Sequence, residues 1–272
     1  MNVRTDYNAS IHPLGLFDSG VGGLSVLRAV QRELPHENLI YFADQKYCPY
    51  GQRTADEIRA LSQRVSEFLL AQGCKAIVVA CNTASAAALE YLRQTFPAIP
   101  FVGMEPAVKP AAQNSHTRTV GVLATQGTFQ GELFQRTRAT YANGVEVLTV
   151  YPTDWVERVE RGDIDSPETE ASVRGIVQTF LDANADEIAL GCTHYPFLAP
   201  LIRKIAGDRV TLLDPSEAVA RQTARVLNER GLLNPQTGVG RRVFYTSGEV
   251  DAFAPVLEKL VGESGEVHAI LN

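Results

Sequence analysis

Short apolar runs alternate with longer stretches of helical period along most of the chain. "LGLFD" (14–18), "NLIYFAD" (38–44), "AIVVAC" (76–81) and "IPFVG" (99–103) are nearly unbroken apolar runs, the pattern of strands buried on both faces. Between them, "LSVLRAVQREL" (24–34), "DEIRALSQRVSEFLLAQG" (56–73) and "ASAAALEYLRQTF" (84–96) place apolar residues at helical spacing. In the second, Ile58, Leu61, Val65, Phe68 and Leu69 share one face, and Gly73 supplies a stop. Such strands joined by helices predict a parallel sheet covered on both sides.

The same plan then starts again. "TVGVLATQGTF" (119–129) parallels "PLGLFDSGVGG" (13–23), a strand running into a Gly/Ser/Thr turn. "EVLTVYP" (146–152) stands where "NLIYFAD" stood, "SVRGIVQTFLDANAD" (172–186) supplies a helix, and "EIALGCTHYPFL" (187–198) matches "AIVVACNTASA" (76–86). Cys81 and Cys192 therefore fall at equivalent strand ends. After "VTLLDPSEAV" (210–219), a helix over 216–230 and the strand "RRVFYTSG" (241–248) are too short for a third domain and are expected to return to the first. The expected fold is α/β: two pseudo-symmetric three-layer α/β/α domains with mostly parallel sheets and an active site in the cleft between them. The first spans 11–101 plus 216–272 and carries Cys81; the second spans 102–215 and carries Cys192.

Composition adds exclusions. The chain has 272 residues, 45% hydrophobic and 21% charged, which suits a globular protein with a substantial core. A net charge of −6 argues against a nucleic-acid partner, and no apolar run reaches membrane-spanning length. The N-terminus lacks a basic segment followed by an apolar one, so a cytoplasmic setting is expected. There Cys48, Cys74, Cys81 and Cys192 would be reduced thiols, and the absence of any C-x-x-C removes the commonest structural zinc signature.

In open parallel sheets, ligands bind beyond the carboxyl ends of strands. Four ends are chemically loaded: "DSGVGG" (18–23), "CNT" (81–83), "ATQGT" (124–128, with Thr125) and "CTH" (192–194). Their hydroxyl, amide and backbone donors suit a carboxylate or phosphate. A thiol at a helix N-terminus is also expected to have its pKa lowered. A lone strand-end cysteine is ordinarily a small core hydrophobe, but polar followers in both repeats favour chemistry. Cys48 and Cys74 lack that setting and read as packing residues. Two thiols across a cleft could bind metal with His194, cycle as a disulfide, or act as acid and base on opposite faces of one carbon. No close ligand pair supports metal and no C-x-x-C supports redox cycling, whereas two mirrored halves supply two-faced proton transfer directly. A rival is a nucleotide-binding oxidoreductase: "LGLFDSGVGG", with Gly20 and Gly22 and then Asp44 at the next strand end, imitates a dinucleotide fingerprint. Ser25 at the third glycine position and Asp18 ahead of the loop oppose it. On propensity alone, Asp18 also fits a helix cap, Tyr50-Gly51 a turn, and His194 a structural histidine.

"FDSGVGGLSV" (17–26), "PYG" (49–51), "ACNTASA" (80–86), "GTF" (127–129), "LGCTHYPFL" (190–198) and "DPSEAVA" (214–220) together resemble the bacterial glutamate racemases, in that family's order. The resemblance implies a cofactor-independent isomerase that makes D-glutamate for peptidoglycan, needs no metal, and commonly forms homodimers. Carried over by motif, Cys81 would act on D-glutamate and Cys192 on L-glutamate. Asp18 would tune Cys81 and His194 would tune Cys192, with Glu160 in "WVERVERG" in support. Asp18, Ser19, Tyr50, Gly51, Asn82, Thr83, Thr193 and His194 would contact substrate, and the strand-end Thr125 joins them. A racemase of aspartate or another acidic amino acid is the near alternative.

Overall fold

The computed structural model describes residues 9–105 and 107–270. Most of the segment used to judge a leader, and the last two residues of the first expected domain, fall outside it. The first half runs β1 (Leu14–Asp18), α1 (Leu24–Glu33), β2 (Leu39–Ala43), α2 (Ala55–Ala71), β3 (Ala76–Val79), α3 (Asn82–Thr95) and β4 (Phe101–Gly103). The second runs α4 (Val108–Asn114), β5 (Thr119–Ala124), α5 (Gln126–Gln130), α6 (Glu132–Tyr141), β6 (Glu146–Val150), α7 (Trp155–Glu160), α8 (Pro167–Asp182), β7 (Glu187–Gly191), α9 (Ala199–Ala206) and β8 (Thr211–Leu213). The chain closes with α10 (Ser216–Glu229), β9 (Arg242–Thr246), α11 (Val250–Val261) and β10 (Glu266–Ala269).

Two sheets form, with orders β10-β9-β2-β1-β3-β4 and β6-β5-β7-β8, and every pairing between described strands is parallel. The order β2-β1-β3-β4 is repeated as β6-β5-β7-β8, so the sequence repeat is also a topological one. In each sheet the chain leaves the first strand to one side and later returns on the other. The carboxyl ends of β1/β3 and of β5/β7 are therefore switch points, where a crevice opens.

Alternation along the strands sends side chains to two layers. Leu14 and Leu16 of β1 pack in the cluster that also holds Leu24, Leu27, Leu227 and Phe253 of α1, α10 and α11. Phe17 faces the other way, with Leu69 and Leu92 of α2 and α3. In the second half, Ile188 and Leu190 join Val177 and Phe180 of α8, while Val120 and Val122 join Ala111 and Phe134 of α4 and α6. The first of these clusters continues across both halves, so their mutual contact is part of the apolar core. Helix ends follow local chemistry: Thr54 and Glu57 form a reciprocal capping box at the start of α2, and Gly73, at φ +81°, turns the chain out of it.

Three details differ from the expectations. A break at 101/102 would cut β4, whose Phe101, Val102 and Gly103 all pair with β3, so the first sheet keeps the whole strand. The short helices α4, α7 and α9, together with α6, are absent from the sequence expectations. Nor were α11 and β10: Pro255 interrupts the helical pattern of α11, and β10 is a short edge strand with little apolar alternation.

Candidate active site

Asp18 closes β1 and is fully buried. Its Oδ2 accepts from the backbone N–H of Gly23 at 2.9 Å and of Gly20 at 3.3 Å, so it does pin the following turn. Among the described residues, its buried Oδ1 has no hydrogen-bond partner. Burial pushes this carboxyl up from the ordinary range, against the pull of His194 and the Gly23 N–H.

Cys81 caps α3 from a β-region backbone, and its Sγ accepts from the Ala84 N–H at 3.5 Å. Ser19 Oγ lies 4.0 Å from the same sulfur. The helix end does draw the thiol's pKa down, but burial and the neighbouring Asp18 outweigh it and hold Cys81 well above the usual range. The sequence-based expectation of a lowered thiol fails here because desolvation and a like charge exceed one N–H contact. Next to it, both side-chain amide atoms of Asn82 are buried without hydrogen-bond partners among the described residues.

The equivalent place in the second half is built from opposite charges. His194 Nδ1 lies 3.6 Å from Cys192 Sγ, and its Nε2 meets Glu160 Oε1 at 2.6 Å. Burial alone would lower the His194 ring; Cys192, Cys48 and Glu160 more than reverse this and hold it well above its ordinary value. Glu160 is lowered despite burial, because His194, Gln45 and the Val21 N–H all donate to it or neutralise it. α7 thus reaches back to the loop after β1.

The two halves meet through this loop. A Cβ on Gly20 would stand 1.9 Å from Glu160 Oε1, and one on Gly22 would stand 2.3 Å from His194 Nδ1. The glycines are there so that the second half can press on the loop backbone. Asp44, the would-be ribose ligand of the nucleotide reading, is occupied by Tyr50 Oη at 2.5 Å, Arg64 at 2.7 Å and Ser247 Oγ at 2.7 Å. With the loop covered and Asp44 fully engaged, the dinucleotide reading loses both of its elements. Thr83 Oγ1 meets Thr125 Oγ1 at 2.9 Å across the cleft, and Ser25 Oγ donates to the Thr193 carbonyl at 3.0 Å. Gly51 lies against Thr125, where a Cβ would come within 3.0 Å.

The structure therefore brings Asp18, Ser19, Cys81, Asn82, Thr83, Thr125, Thr193, His194, Cys192 and Glu160 around one cleft. Tyr50 sits beside it with its hydroxyl committed to Asp44, leaving only its ring and backbone for a ligand. Cys81 is 5% and Cys192 6% exposed, so both sulfurs are buried where the two halves meet. A cavity of about 970 Å³ near Arg93, Arg136 and Arg225 lies elsewhere and is lined by neither cysteine. Sequence reading missed Gln45, Cys48 and Ser25. The first two follow β2, whose carboxyl end shares the crevice edge with β1; applying the strand-end rule to β2 as well would have found them. Ser25 was read only as a missing glycine.

Two thiols thus stand on facing switch points, each with its own charged partner and with hydroxyl and amide donors around it. The chain belongs to the Asp/Glu/Hydantoin racemase family, whose model matches residues 22–223, and it is an isomerase. It is 52% identical to a curated glutamate racemase of Roseiflexus sp. (strain RS-1) over 252 residues, 92% of this chain and 93% of that protein. Among solved structures it resembles glutamate racemase isoform RacE1 from Bacillus anthracis, with a TM-score of 0.86, 31% identity, and coverage of 96% of this chain and 97% of that one. It also resembles the Francisella tularensis glutamate racemase in complex with D-glutamate, with a TM-score of 0.83, 30% identity, and coverage of 96% and 98%. Both solved relatives share the two-domain α/β arrangement.

Proposed function

We propose that this chain interconverts L- and D-glutamate by proton transfer between Cys192, Cys81 and the α-carbon, without a cofactor. The observation that carries the reading is the charge contrast at the two equivalent cysteines: a carboxylate, Asp18, beside Cys81 and a histidine–glutamate pair, His194 and Glu160, beside Cys192. Racemisation needs a proton acceptor on one face while the opposite face holds a donor. Burial and the neighbouring Asp18 keep Cys81 protonated, ready to donate. His194, itself held protonated, stands as the positive partner of the Cys192 sulfur when that sulfur carries charge. In this state Cys192 takes the α-proton of L-glutamate and Cys81 delivers a proton to the other face, giving D-glutamate; the reverse reaction exchanges the two roles.

The negative charge developing at the α-carbon and its carboxylate requires fixed donors. The unpartnered Asn82 amide, Ser19, Thr83, Thr125 and Thr193 offer them, and the free Oδ1 of Asp18 suits the substrate ammonium. Tyr50 and Gly51 border the cleft from the adjoining turn. Use of the product in peptidoglycan, a cytoplasmic setting and a homodimer accompany this reading through the family resemblance. No described helix is long and apolar enough to cross a membrane.

The test is incubation of each glutamate enantiomer in D₂O, following optical rotation and α-deuterium. Two separate thiols place deuterium in the product before it enters the recovered substrate. Deuterium entering both pools at equal rates, or racemisation that survives both Cys81→Ala and Cys192→Ala, overturns the mechanism. Aspartate run in parallel distinguishes glutamate from the near alternative.

A further inference from the structure

Cys48 takes no proton in the chemistry above, yet its thiol is one of the groups that raise His194, and it stands against that chemistry's positive end. Its sulfur, a Glu160 carboxylate oxygen and a His194 ring nitrogen all lie within 4.8 Å of one another. Among the described residues this is the one cluster of three metal-capable donors. Cys81 and Cys192 are not members of this trio, which draws its ligands from both halves. Cys48 follows β2, Glu160 ends α7, and His194 follows β7.

We propose that Cys48, Glu160 and His194 form a zinc site that locks the cleft shut and silences the enzyme. One sulfur, one imidazole nitrogen and one carboxylate oxygen are the ligand set of a borderline-soft tetrahedral ion, not of magnesium or calcium. Zinc–ligand bonds of roughly 2.0–2.3 Å separate neighbouring donors by about 3.3–3.8 Å, so side-chain shifts of about 1 Å complete the site. The carboxylate is already oriented: Gln45 Nε2 holds Glu160 Oε2 at 3.0 Å, and Thr246 Oγ1 in turn holds Gln45 Oε1 at 2.9 Å. Such outer partners are what a metal ligand needs to keep its aim. The Cys48 thiol, which burial pushes up to about 12, surrenders its proton to solvent as the zinc–sulfur bond forms, and the proton shared by His194 and Glu160 leaves as well.

Two consequences follow from the geometry. The ion ties the strand-end loop of the first sheet to two elements of the second, and so restrains any separation of the halves that access to the buried sulfurs uses. It also removes His194 and Glu160 from the service of Cys192. Inhibition presupposes the proposed racemase mechanism; metal binding does not, and the two are measured separately.

Cobalt(II) serves as a spectroscopic stand-in for zinc. Wild-type protein titrated with cobalt is expected to show a thiolate-to-metal charge-transfer band saturating at one equivalent. Cys48→Ser loses the band and Cys192→Ala keeps it. Zinc at one equivalent suppresses wild-type racemisation roughly tenfold or more and a chelator restores it, whereas Cys48→Ser, measured against its own metal-free rate, needs at least about tenfold more zinc for the same fractional effect. A band that survives Cys48→Ser, or vanishes with Cys192→Ala, overturns the site. Equal zinc sensitivity of wild type and Cys48→Ser overturns its role in inhibition even if the band behaves as expected.

Discussion

The two cysteine corners occupy the same place in two copies of one topology, yet their surroundings are electrostatic opposites. Cys81 faces a buried carboxylate that its own half supplies from β1. Cys192 faces a histidine from its own loop, and Glu160 behind that histidine is steadied by Val21 and Gln45 of the other half. Duplicated architecture supplies two thiols at mirrored positions; in the proposed mechanism it is their unequal neighbours that let one be acid while the other is base. The contrast recurs at the opposite, amino ends of the same strands. Lys75, just before β3, is buried against Glu37, whereas Asp186, just before β7, is held by Ser115 Oγ and the N–H groups of His116 and Thr117.

The sharpest way to break this comparison is at the Lys75 end. Lys75→Met leaves Glu37 almost fully buried and without its cation, and is expected to cost about 3–5 kcal/mol in chemical unfolding. Next in size, His194→Asn removes the positive partner of Cys192. It should lower kcat/KM by roughly 100-fold or more, equally in both directions because the enantiomers have equal free energies. Asp18→Asn acts on the other corner and by a different signature. Removing its charge lets the Cys81 thiol fall toward its ordinary value, so the basic limb of the pH profile of kcat/KM moves to lower pH, together with a loss of rate.

The smallest effect is expected at Asp186. Burial raises this carboxyl, but Ser115, Thr117 and His116 outweigh it and bring it down to about 2. A carboxylate lowered on folding stabilises the native state above its unfolded value of about 3.9, and the benefit fades as pH falls through the folded value. The stability difference between wild type and Asp186→Asn should therefore be full above about pH 4 and vanish toward pH 2. A difference that persists unchanged at pH 2 would refute this account.

Much of this contrast was legible in the sequence because parallel sheets write themselves as apolar runs ending in polar turns. "AIVVACNTASA" and "EIALGCTHYPFL" exposed both the repeat and its chemistry, and the strand-end rule located nine of the cleft's ten residues. Glu160 came from the family resemblance instead. The rest lay hidden for physical reasons. Gly20 and Gly22 satisfy a phosphate loop and a close interdomain approach equally well, and only Glu160 and His194 seated on them decide between the two. "DQKYC" carries no periodicity, so Gln45 and Cys48 gave no signal until β2 was seen to end beside β1. The direction of the Cys81 shift was unreadable because it depends on burial, which a strand-end position does not reveal.

The place of β9 has a consequence for how the chain is made. β2 pairs with β1 on one side and with β9 on the other. During synthesis the small sheet has all its strands once Leu213 emerges, but the large one must wait for β9 and β10 at the far end of the chain. Until then β2 presents a bare row of amide and carbonyl groups to any strand that comes near. The later half of the enzyme can finish before the earlier one, and the nascent protein is most prone to mispairing along Leu39–Ala43.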